Sequence, residues 1–485
     1  MKLADIIKNT DCNIIQDTDK EILSVVYDSR KVTEGSVFVA VSGETTDGAR
    51  YVGDAVRGGA VAVVSQKSVP VPEGIGCIMA DDTRFALGAI AKNFYGNPSA
   101  FMKLTGITGT SGKTTVSNVL YNIFKNKGIE SGLIGTISNK FGNVEEPAVH
   151  TTPQAADLQE ILFRMKEAGV GMCAMEVSSH ALDQGRVFGA EFDCGVFLNI
   201  ERDHLDYHKT IENYRNAKLK LFGFYPKHQS KDFVAVVNND AGILDYVREV
   251  FQGKIITFGR NDKADVYSSN EKIFIDRVEF DLNYKGEKVH ILFSMGGDFN
   301  VANALAAAAA AVRYGLSLEE ISEGIRSCLP VNGRFQSVDC GQDFSVIVDY
   351  AHTPDEIEKL LQTANKIKKN RIITVCGCGG NRDKGKRPIM GQIACNNSDF
   401  VIITSDNPRN EEPMDIIDGI TAGIRDKDNY ITVCDRAEAI NKALSMAEKD
   451  DFVIIAGKGH EDYQLIKGVK YHFDDKEVVR KYFGK

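Results

Sequence analysis

The sequence predicts an α/β protein of three domains: a central domain on a mostly parallel, P-loop-type sheet, a C-terminal doubly wound (Rossmann-like) domain, and a smaller segment ahead of both. Three observations carry this. The 485 residues exceed what one hydrophobic core usually supports. From residue 101 onward, apolar runs of strand length alternate with helical stretches, the rhythm of parallel sheets with covered faces. Finally, Lys103-Leu-Thr-Gly-Ile-Thr-Gly-Thr-Ser-Gly-Lys-Thr-Thr115 runs from an apolar strand through a glycine-rich turn into a helix.

That stretch is built for phosphate. Glycines let backbone N–H groups crowd round phosphate oxygens, and the helix N-terminus adds positive potential. Lys113 is placed to reach the outer phosphates and the Thr114 hydroxyl to bind Mg²⁺. The strict spacing asks for a glycine where Ile107 stands, so the pattern is the shorter Gly109-x-x-Gly112-Lys113-Thr114.

In chain order, residues 1–100 give short strands (Ser36–Val41, Ala60–Ser65), a helical stretch near Asp54–Arg57, and a helix from Arg84 to Tyr95 ended by Gly96-Asn97-Pro98. With no phosphate loop of its own, this domain is expected to hold part of a substrate. In 101–331, Gly171–Val177 and Cys194–Ile200 read as central strands. The polar clusters that follow them, Ser178-Ser179-His180 and Glu201-Arg202-Asp203-His204, belong near the phosphate loop, because ligands gather beyond C-terminal strand ends. Residues 252–295 alternate like antiparallel strands, and a helix over Asn300–Tyr314 closes the domain. In 332–485, Ser345–Tyr350, Arg371–Cys376, Asp399–Thr404 and Asp451–Ala456 read as strands, separated by helices over 355–369, 388–396 and 435–448. Their polar ends, Ala351–Pro354, Gly377–Asp383, Asp406–Arg409 and Gly457–Glu461, form a second binding face.

Hydrophobic residues make up 43% and charged residues 26%, and the net charge is −9. That balance argues against nucleic acid or an anionic membrane as main partner. Ten dispersed cysteines without a C-x-x-C pair argue against a zinc site or a disulfide framework, and suit a reducing compartment. The charged first nine residues are unlike a signal peptide, and Ala304–Val312 is too short to span a bilayer. A cytoplasmic monomer is expected.

Several single residues stand out. Glu176 ends an apolar strand, where a carboxylate needs a cation, either a salt-bridge partner or Mg²⁺. His204 and His208 lie four apart but lack the H-E-x-x-H pattern of zinc sites, so they read as packing or capping residues, with His204 open as a nucleotide-site ligand. Lys218 shares a helix with Leu219, Leu221 and Phe222, and nothing in the sequence physics favours it over Lys220. Arg409, after the fixed turn at Pro408, suits bidentate capture of a carboxylate, with Arg382 as a second partner for the same anion. The alternative is a loop arginine paired with Glu411 or Glu412.

Thr108-Gly-Thr-Ser-Gly-Lys-Thr-Thr115, Met175-Glu-Val-Ser-Ser-His-Ala-Leu182, Asn199-Ile-Glu-Arg-Asp-His-Leu-Asp-Tyr-His208 and Phe299-Asn-Val-Ala-Asn-Ala-Leu305 resemble the Mur ligases, ATP-dependent amino-acid ligases of peptidoglycan synthesis. Asp349-Tyr-Ala-His-Thr-Pro354, Gly380-Asn-Arg-Asp-Lys-Gly385, Asp406-Asn-Pro-Arg409 and Gly457-Lys-Gly-His-Glu-Asp-Tyr-Gln464 are similar to the branch that extends UDP-N-acetylmuramoyl-L-alanyl-D-glutamate by its third stem residue. The resemblance implies that Tyr27, Ser29, Glu44, Thr45 and Thr46 hold the UDP end of that substrate. His150, Thr151, Thr152, Ser178, Gln184 and Arg186 would hold the rest. It implies ATP phosphates on Gly109, Thr110, Ser111, Gly112, Lys113, Thr114 and Thr115, with Asn303, Arg334 and Asp349 at adenine, phosphate and ribose. Thr114, Glu176 and His204 match Mg²⁺ ligands, and Lys218 matches a lysine carried as a carbamate (N6-carboxylysine); Lys113, Glu176, His204 and Lys218 form the catalytic group.

The Asp-Asn-Pro-Arg motif resembles members that add meso-diaminopimelate rather than lysine. Arg409 and Arg382 would meet the extra carboxylate, Glu461 and the Gly457 backbone the distal ammonium, with Asp406, Asn407 and Pro408 completing the pocket. Ser111 stands where the family more often has asparagine, and Gln154 where it has an acid; neither removes a charge the chemistry needs. The expected reaction passes the γ-phosphoryl of ATP to a carboxylate, then lets an amine displace phosphate. Rivals are a lysine-adding member, a folylpolyglutamate synthetase, and a P-loop ATPase with no amino-acid acceptor.

Overall fold

The computed structural model describes residues 1–43 and 46–485; Glu44 and Thr45, expected at the UDP end of a substrate, lie outside the described residues. Among the described residues, three sheets follow one another along the chain, and a short hairpin comes late.

The first sheet orders Cys12–Gln16, Gly76–Ala80, Ala60–Ser65, Ser36–Val39 and Ser24–Val26, parallel except for the first strand. The helix Thr83–Phe94 starts where the Asp82 side chain accepts from Arg84 N–H, and lays Leu87, Ile90 and Ala91 on Val37, Val39 and Val64. Ala155 and Ala156 join the same core, so the central helix Ala155–Glu167 is docked against this sheet from its first turn.

The central sheet has eleven strands. Lys103–Thr108 sits in its middle, parallel to Met172–Glu176 on one side and Cys194–Phe197 on the other. Beyond Cys194–Phe197 come Val234–Asn238, Ile255–Gly259 and Val266–Ile273, still parallel, then the antiparallel Val278–Tyr284 and Glu287–Phe293. The expected antiparallel run over 252–295 therefore begins only at Val266. Ile255–Gly259 alternates in exposure like an edge strand, but the chain enters it through the helix Leu244–Val250, and such a crossover delivers a parallel strand. One face of the sheet is covered by Lys113–Asn126 and Phe299–Arg313, whose Val116, Leu120 and Ile123 meet the fully buried run Ala304–Ala311. The other is covered by Ala155–Glu167 and Ile211–Gly223 through Leu158, Leu162, Leu221 and Phe222. Among the described residues, no helix is long and apolar enough to cross a membrane.

The third sheet orders Gln336–Ser337, Ser345–Asp349, Phe452–Ala456, Ile372–Cys376, Phe400–Ile403 and Tyr430–Thr432, parallel but for the short first strand. Pro354–Ile367, Lys386–Asn397 and Pro413–Thr421 cover one face, Arg436–Met446 and Asp475–Tyr482 the other. This is the doubly wound arrangement expected. The edge strand Tyr430–Thr432 and the hairpin Tyr463–Ile466/Val469–His472 add to it.

Candidate active site

The strand Lys103–Thr108 ends in the phosphate loop, and the helix Lys113–Asn126 begins immediately after Gly112. Gly112 has φ +86°, a conformation that favours glycine, and a Cβ there would fall 2.5 Å from Asn303 Oδ1 and push that side chain aside. Lys113 Nζ donates to Gly109 O and Thr110 O, each at 2.8 Å. Burial lowers its pKa, and the nearby Glu176 and Asp203 carboxylates oppose that. The loop is shaped by Asn199, whose Oδ1 accepts from Thr110 N–H at 2.9 Å and Ser111 N–H at 3.0 Å. Asn199 lies in a stretch whose resemblance was noted, but it offers no charge to draw attention.

Glu176 is 1% exposed at the end of Met172–Glu176. Its carboxylate accepts from Thr114 Oγ1 at 3.0 Å, Thr136 N–H at 2.8 Å and Thr136 Oγ1 at 3.0 Å. Among the described residues no Lys or Arg pairs with it, so the salt-bridge reading is not what the fold uses. The same strand end gathers Thr151, whose Oγ1 lies 3.1 Å from Thr136 Oγ1. Thr152 donates to Glu176 O at 2.9 Å and accepts from Ser178 N–H at 3.0 Å.

His204 adopts φ +53° and packs edge-on against His180, ring centroids 4.8 Å apart, with Asp203 at 3.3 Å. Burial pushes its pKa down to about 3, leaving a neutral imidazole, the form that ligates a metal. His208 is instead a packing residue, buried with Nε2 3.0 Å from Ser179 Oγ. The fold also separates Lys218 from Lys220. Lys220 is 37% exposed and pairs with Asp183 at 2.6 Å. Lys218 is buried, its Nζ 2.7 Å from Gly109 O and 4.5 Å from the Tyr214 ring centroid. Burial, reinforced by Lys113, pushes the Lys218 pKa well below the ordinary lysine value.

Among the described residues, no group of three or more His, Cys, Asp or Glu side chains could hold a metal ion by itself. The hard oxygens of Glu176 and Thr114 nevertheless suit Mg²⁺, which keeps water and phosphate oxygens in its shell. The residues present fit that ion.

A cavity of about 450 Å³ lies between the central and C-terminal sheets, lined by Gly112, Thr115, Asn303, Arg334, Asp349 and Lys359 among others. Arg334 Nη2 donates to Thr114 Oγ1 at 3.3 Å, and its guanidinium lies 4.8 Å from the Tyr350 ring centroid. Asp349 is fixed by Phe335 N–H at 2.6 Å and Ala351 N–H at 2.7 Å.

A second cavity of about 370 Å³ opens from His204 and Thr151 to Arg382, Asp406, Asn407, Arg409, Gly457 and Glu461. Pro408 is buried outside its lining and shapes the turn. Gly457 has φ +120°, and a Cβ would meet Asp406 Oδ2 at 2.7 Å. Arg409 Nη1 donates to Gly380 O at 2.8 Å. Among the described residues neither Arg409 nor Arg382 has a carboxylate partner: Glu411 is held by Arg387 at 2.9 Å and Lys384 at 3.3 Å, and Glu412 by Lys467 at 3.2 Å. The alternative pairing of Arg409 with those acids is thus overturned. Burial and the facing Arg382 lower the Arg409 pKa, a strain that an incoming anion would relieve.

Toward the N-terminal sheet, Gly43, Arg84, Gln154, Gln184 and Arg186 line a cavity of about 210 Å³. Gln184 Oε1 accepts from Arg186 Nη2 at 2.6 Å, and Thr46 O accepts from Gly43 N–H at 2.9 Å. Burial and Arg186 lower the His150 pKa. Tyr27 and Ser29 do not line this cavity; Tyr27 OH donates to Asp157 at 2.6 Å, joining the two domains, and Ser29 opens a short turn capped by Asp28. Arg84 escaped the sequence reading because it reads as an ordinary first-turn helix residue.

Fold and site together define a three-domain α/β protein in which a phosphate-loop domain faces a Rossmann-like domain across a ligand cleft. The chain belongs to the Mur ligase family: the Mur ligase middle domain matches residues 107–311, the Mur ligase glutamate ligase domain 333–459, and the Mur ligase family catalytic domain 21–95. It is 40% identical over 486 residues, 99% of each chain, to the UDP-N-acetylmuramoyl-L-alanyl-D-glutamate–2,6-diaminopimelate ligase of Clostridium tetani. It is 43% identical over 465 residues to the ligase of the same name from Geobacillus thermodenitrificans, covering 95% of this chain and 94% of that one. A solved structure of a ligase of that name superposes with a TM-score of 0.69 at 32% identity, over 96% of this chain and 97% of that one. MurF of Acinetobacter baumannii shares the fold at TM-score 0.70 and 18% identity, over 100% and 99% of the two chains.

Proposed function

We propose that this protein is an ATP-dependent ligase that joins meso-2,6-diaminopimelate to UDP-N-acetylmuramoyl-L-alanyl-D-glutamate in peptidoglycan precursor synthesis, releasing ADP and phosphate. One observation carries the acceptor choice: Arg382 and Arg409, two guanidinium groups that form no carboxylate ion pair among the described residues, line a cavity that also reaches His204. Relatives over 40% identical along nearly the whole chain bear that activity in their names.

In this reading residues 1–100 hold the UDP end of the substrate, 101–331 the nucleotide, and 332–485 the amino acid, within one monomer. The loop Gly109–Thr115 binds the ATP phosphates, with Lys113 turning from its loop carbonyls to the outer phosphates. Asn303, Arg334 and Asp349 hold the rest of the nucleotide. Tyr27, Ser29, Glu44, Thr45 and Thr46, with His150, Thr151, Thr152, Ser178, Gln184 and Arg186, orient the other substrate so that its D-glutamyl γ-carboxylate meets the γ-phosphorus. That carboxylate takes the phosphoryl group and ADP leaves; the neutral amine of diaminopimelate then attacks the acyl carbon, its nitrogen loses one proton, and phosphate departs with the bonding pair and carries that proton away. Thr114, Glu176, His204 and Lys218 as its carbamate would hold Mg²⁺, which supplies charge neutralisation at the phosphates. Arg382 and Arg409 clamp the distal carboxylate, and Glu461, with the Asp406–Asn407 turn and the Gly457 backbone, orients the distal ammonium.

The test is phosphate release with the UDP-dipeptide and ATP, run with diaminopimelate, with lysine and with no amino acid. Turnover should need diaminopimelate, and Arg409→Ala should raise its KM on the order of 10- to 100-fold, the loss of a hydrogen bond to a charged group. Equal rates with lysine would reject the acceptor, and turnover without any acceptor would favour a plain ATPase.

A further inference from the structure

We propose that Lys458 is the positioning residue of the acceptor pocket, holding Asn407, Glu461 and the loop of Arg409 in one register. This rests on the acceptor reading above. Lys458 is completely buried and does not line the cavity. Its Nζ makes three hydrogen bonds: to Glu461 Oε2 at 2.9 Å, Asn407 Oδ1 at 3.3 Å and Tyr463 O at 2.5 Å. An ammonium has three N–H donors, so its capacity is used up, and all of it goes to groups around the acceptor cavity.

Those partners are also tied to one another. Asn407 Nδ2 donates to Glu461 Oε2 at 2.7 Å, and Asn407 Oδ1 accepts from Leu465 N–H at 2.9 Å. Tyr463 and Leu465 belong to the first strand of the hairpin, which grips the acceptor loop through its backbone. Arg409 N–H donates to Leu465 O at 2.9 Å, Lys467 N–H donates to Arg409 O at 2.6 Å, and Gln464 Nε2 donates to Asp406 O at 2.7 Å. Arg409 needs that grip, because its φ of +53° is costly for a residue with a side chain. Lys458 thus joins the carboxylate expected to face an ammonium to the hairpin that fixes the guanidinium expected to face a carboxylate. The spacing of those two groups is the dimension that separates diaminopimelate from lysine.

The experiment measures KM for each of the three substrates, and the rate ratio of lysine to diaminopimelate, in Lys458→Met, Gln464→Ala and the core control Val453→Ala. Lys458→Met should raise the KM for diaminopimelate about 10-fold or more, as expected for a lost charge-assisted hydrogen bond. The KM values for ATP and the UDP-dipeptide should stay put, and the lysine ratio should rise. Gln464→Ala should shift the same KM in the same direction by less, and it decides the matter if Lys458→Met does not fold. Val453→Ala should lower stability and leave all three KM values alone. An unchanged diaminopimelate KM in the folded variants, or three KM values rising together, would overturn the proposal. A wild-type protein inert toward diaminopimelate would instead bring down the acceptor reading itself.

Discussion

Two lysines share one acceptor at the heart of the site: Gly109 O lies 2.8 Å from Lys113 Nζ and 2.7 Å from Lys218 Nζ. Two ammonium groups this close repel, and the one with fewer carboxylates to offset the loss of water is the poorer cation: Glu176, Asp203 and Glu356 act on Lys113, Asp203 alone on the other. Lys218 is that one, its pKa pushed far down by burial and by Lys113. A neutral amine is the nucleophile that carbon dioxide needs, so the geometry that makes Lys218 a poor cation makes it a good carbamate precursor. Protein kept in bicarbonate should yield a Lys218 peptide heavier by one CO₂ after trapping, and Lys218→Ala should lower kcat on the order of 100-fold or more, as when an electrostatic anchor of a transferring group is removed. Unmodified Lys218 in fully active enzyme would refute the carbamate. The physics of the sequence left Lys218 and Lys220 equivalent, since both fall on one helix, and only the resemblance singled out Lys218; in the fold the depth of each side chain separates them.

The loop Gly379–Gly385, which carries Arg382, shows how an element outside the cavity sets what lies inside it. Glu411 ties the loop down by accepting from Asn381 N–H at 2.5 Å and from Arg387 Nη2 at 2.9 and 3.1 Å. The Arg387 bond, aided by Lys384, holds the Glu411 pKa at about 2 against an ordinary 4.5. A carboxylate depressed in the fold stabilises fully above its unfolded pKa and loses that contribution as pH falls through the folded value. The C-terminal domain should therefore weaken between about pH 4.5 and 2, and Glu411→Gln should flatten that part of the curve while lowering stability at neutral pH. Thermal midpoints of both proteins across that window check it, and parallel curves would refute it. The strands and helices of this domain were legible because their apolar runs are long and buried. The hairpin Tyr463–His472 was not: its side chains are half-buried or exposed, and its work is done by backbone groups that carry no sequence signature. Lys458 falls in the Gly457–Gln464 stretch that carries part of the resemblance, but a lysine between two glycines gives no sign of where its side chain is buried.

Across the whole molecule, the cleft between the central and C-terminal sheets is bridged by the helix Pro354–Ile367. Lys359 pairs with Glu201, Lys366 with Asp298, Thr363 Oγ1 donates to Asp298 at 2.9 Å, and Arg202 N–H donates to Asp355 at 3.1 Å. Contacts between partly exposed charges are individually weak and screened by salt, which suits a joint that must open to release product. Replacing Lys359 and Lys366 by methionine should raise the KM for ATP a few fold at low salt, about 0.5–1 kcal/mol for two such pairs. Added salt should then raise it in the wild type more than in the double variant; identical salt dependence would show that the ion pairs do not hold the cleft. The wall opposite this joint is of another kind. The helix Phe299–Arg313 brings Asn303 to the cleft wall on the run Ala304–Ala311, alanines but for Leu305 and buried throughout. It is a fixed jaw set in the core, so any opening and closing of the cleft falls to the other jaw, the one held only by screened charges.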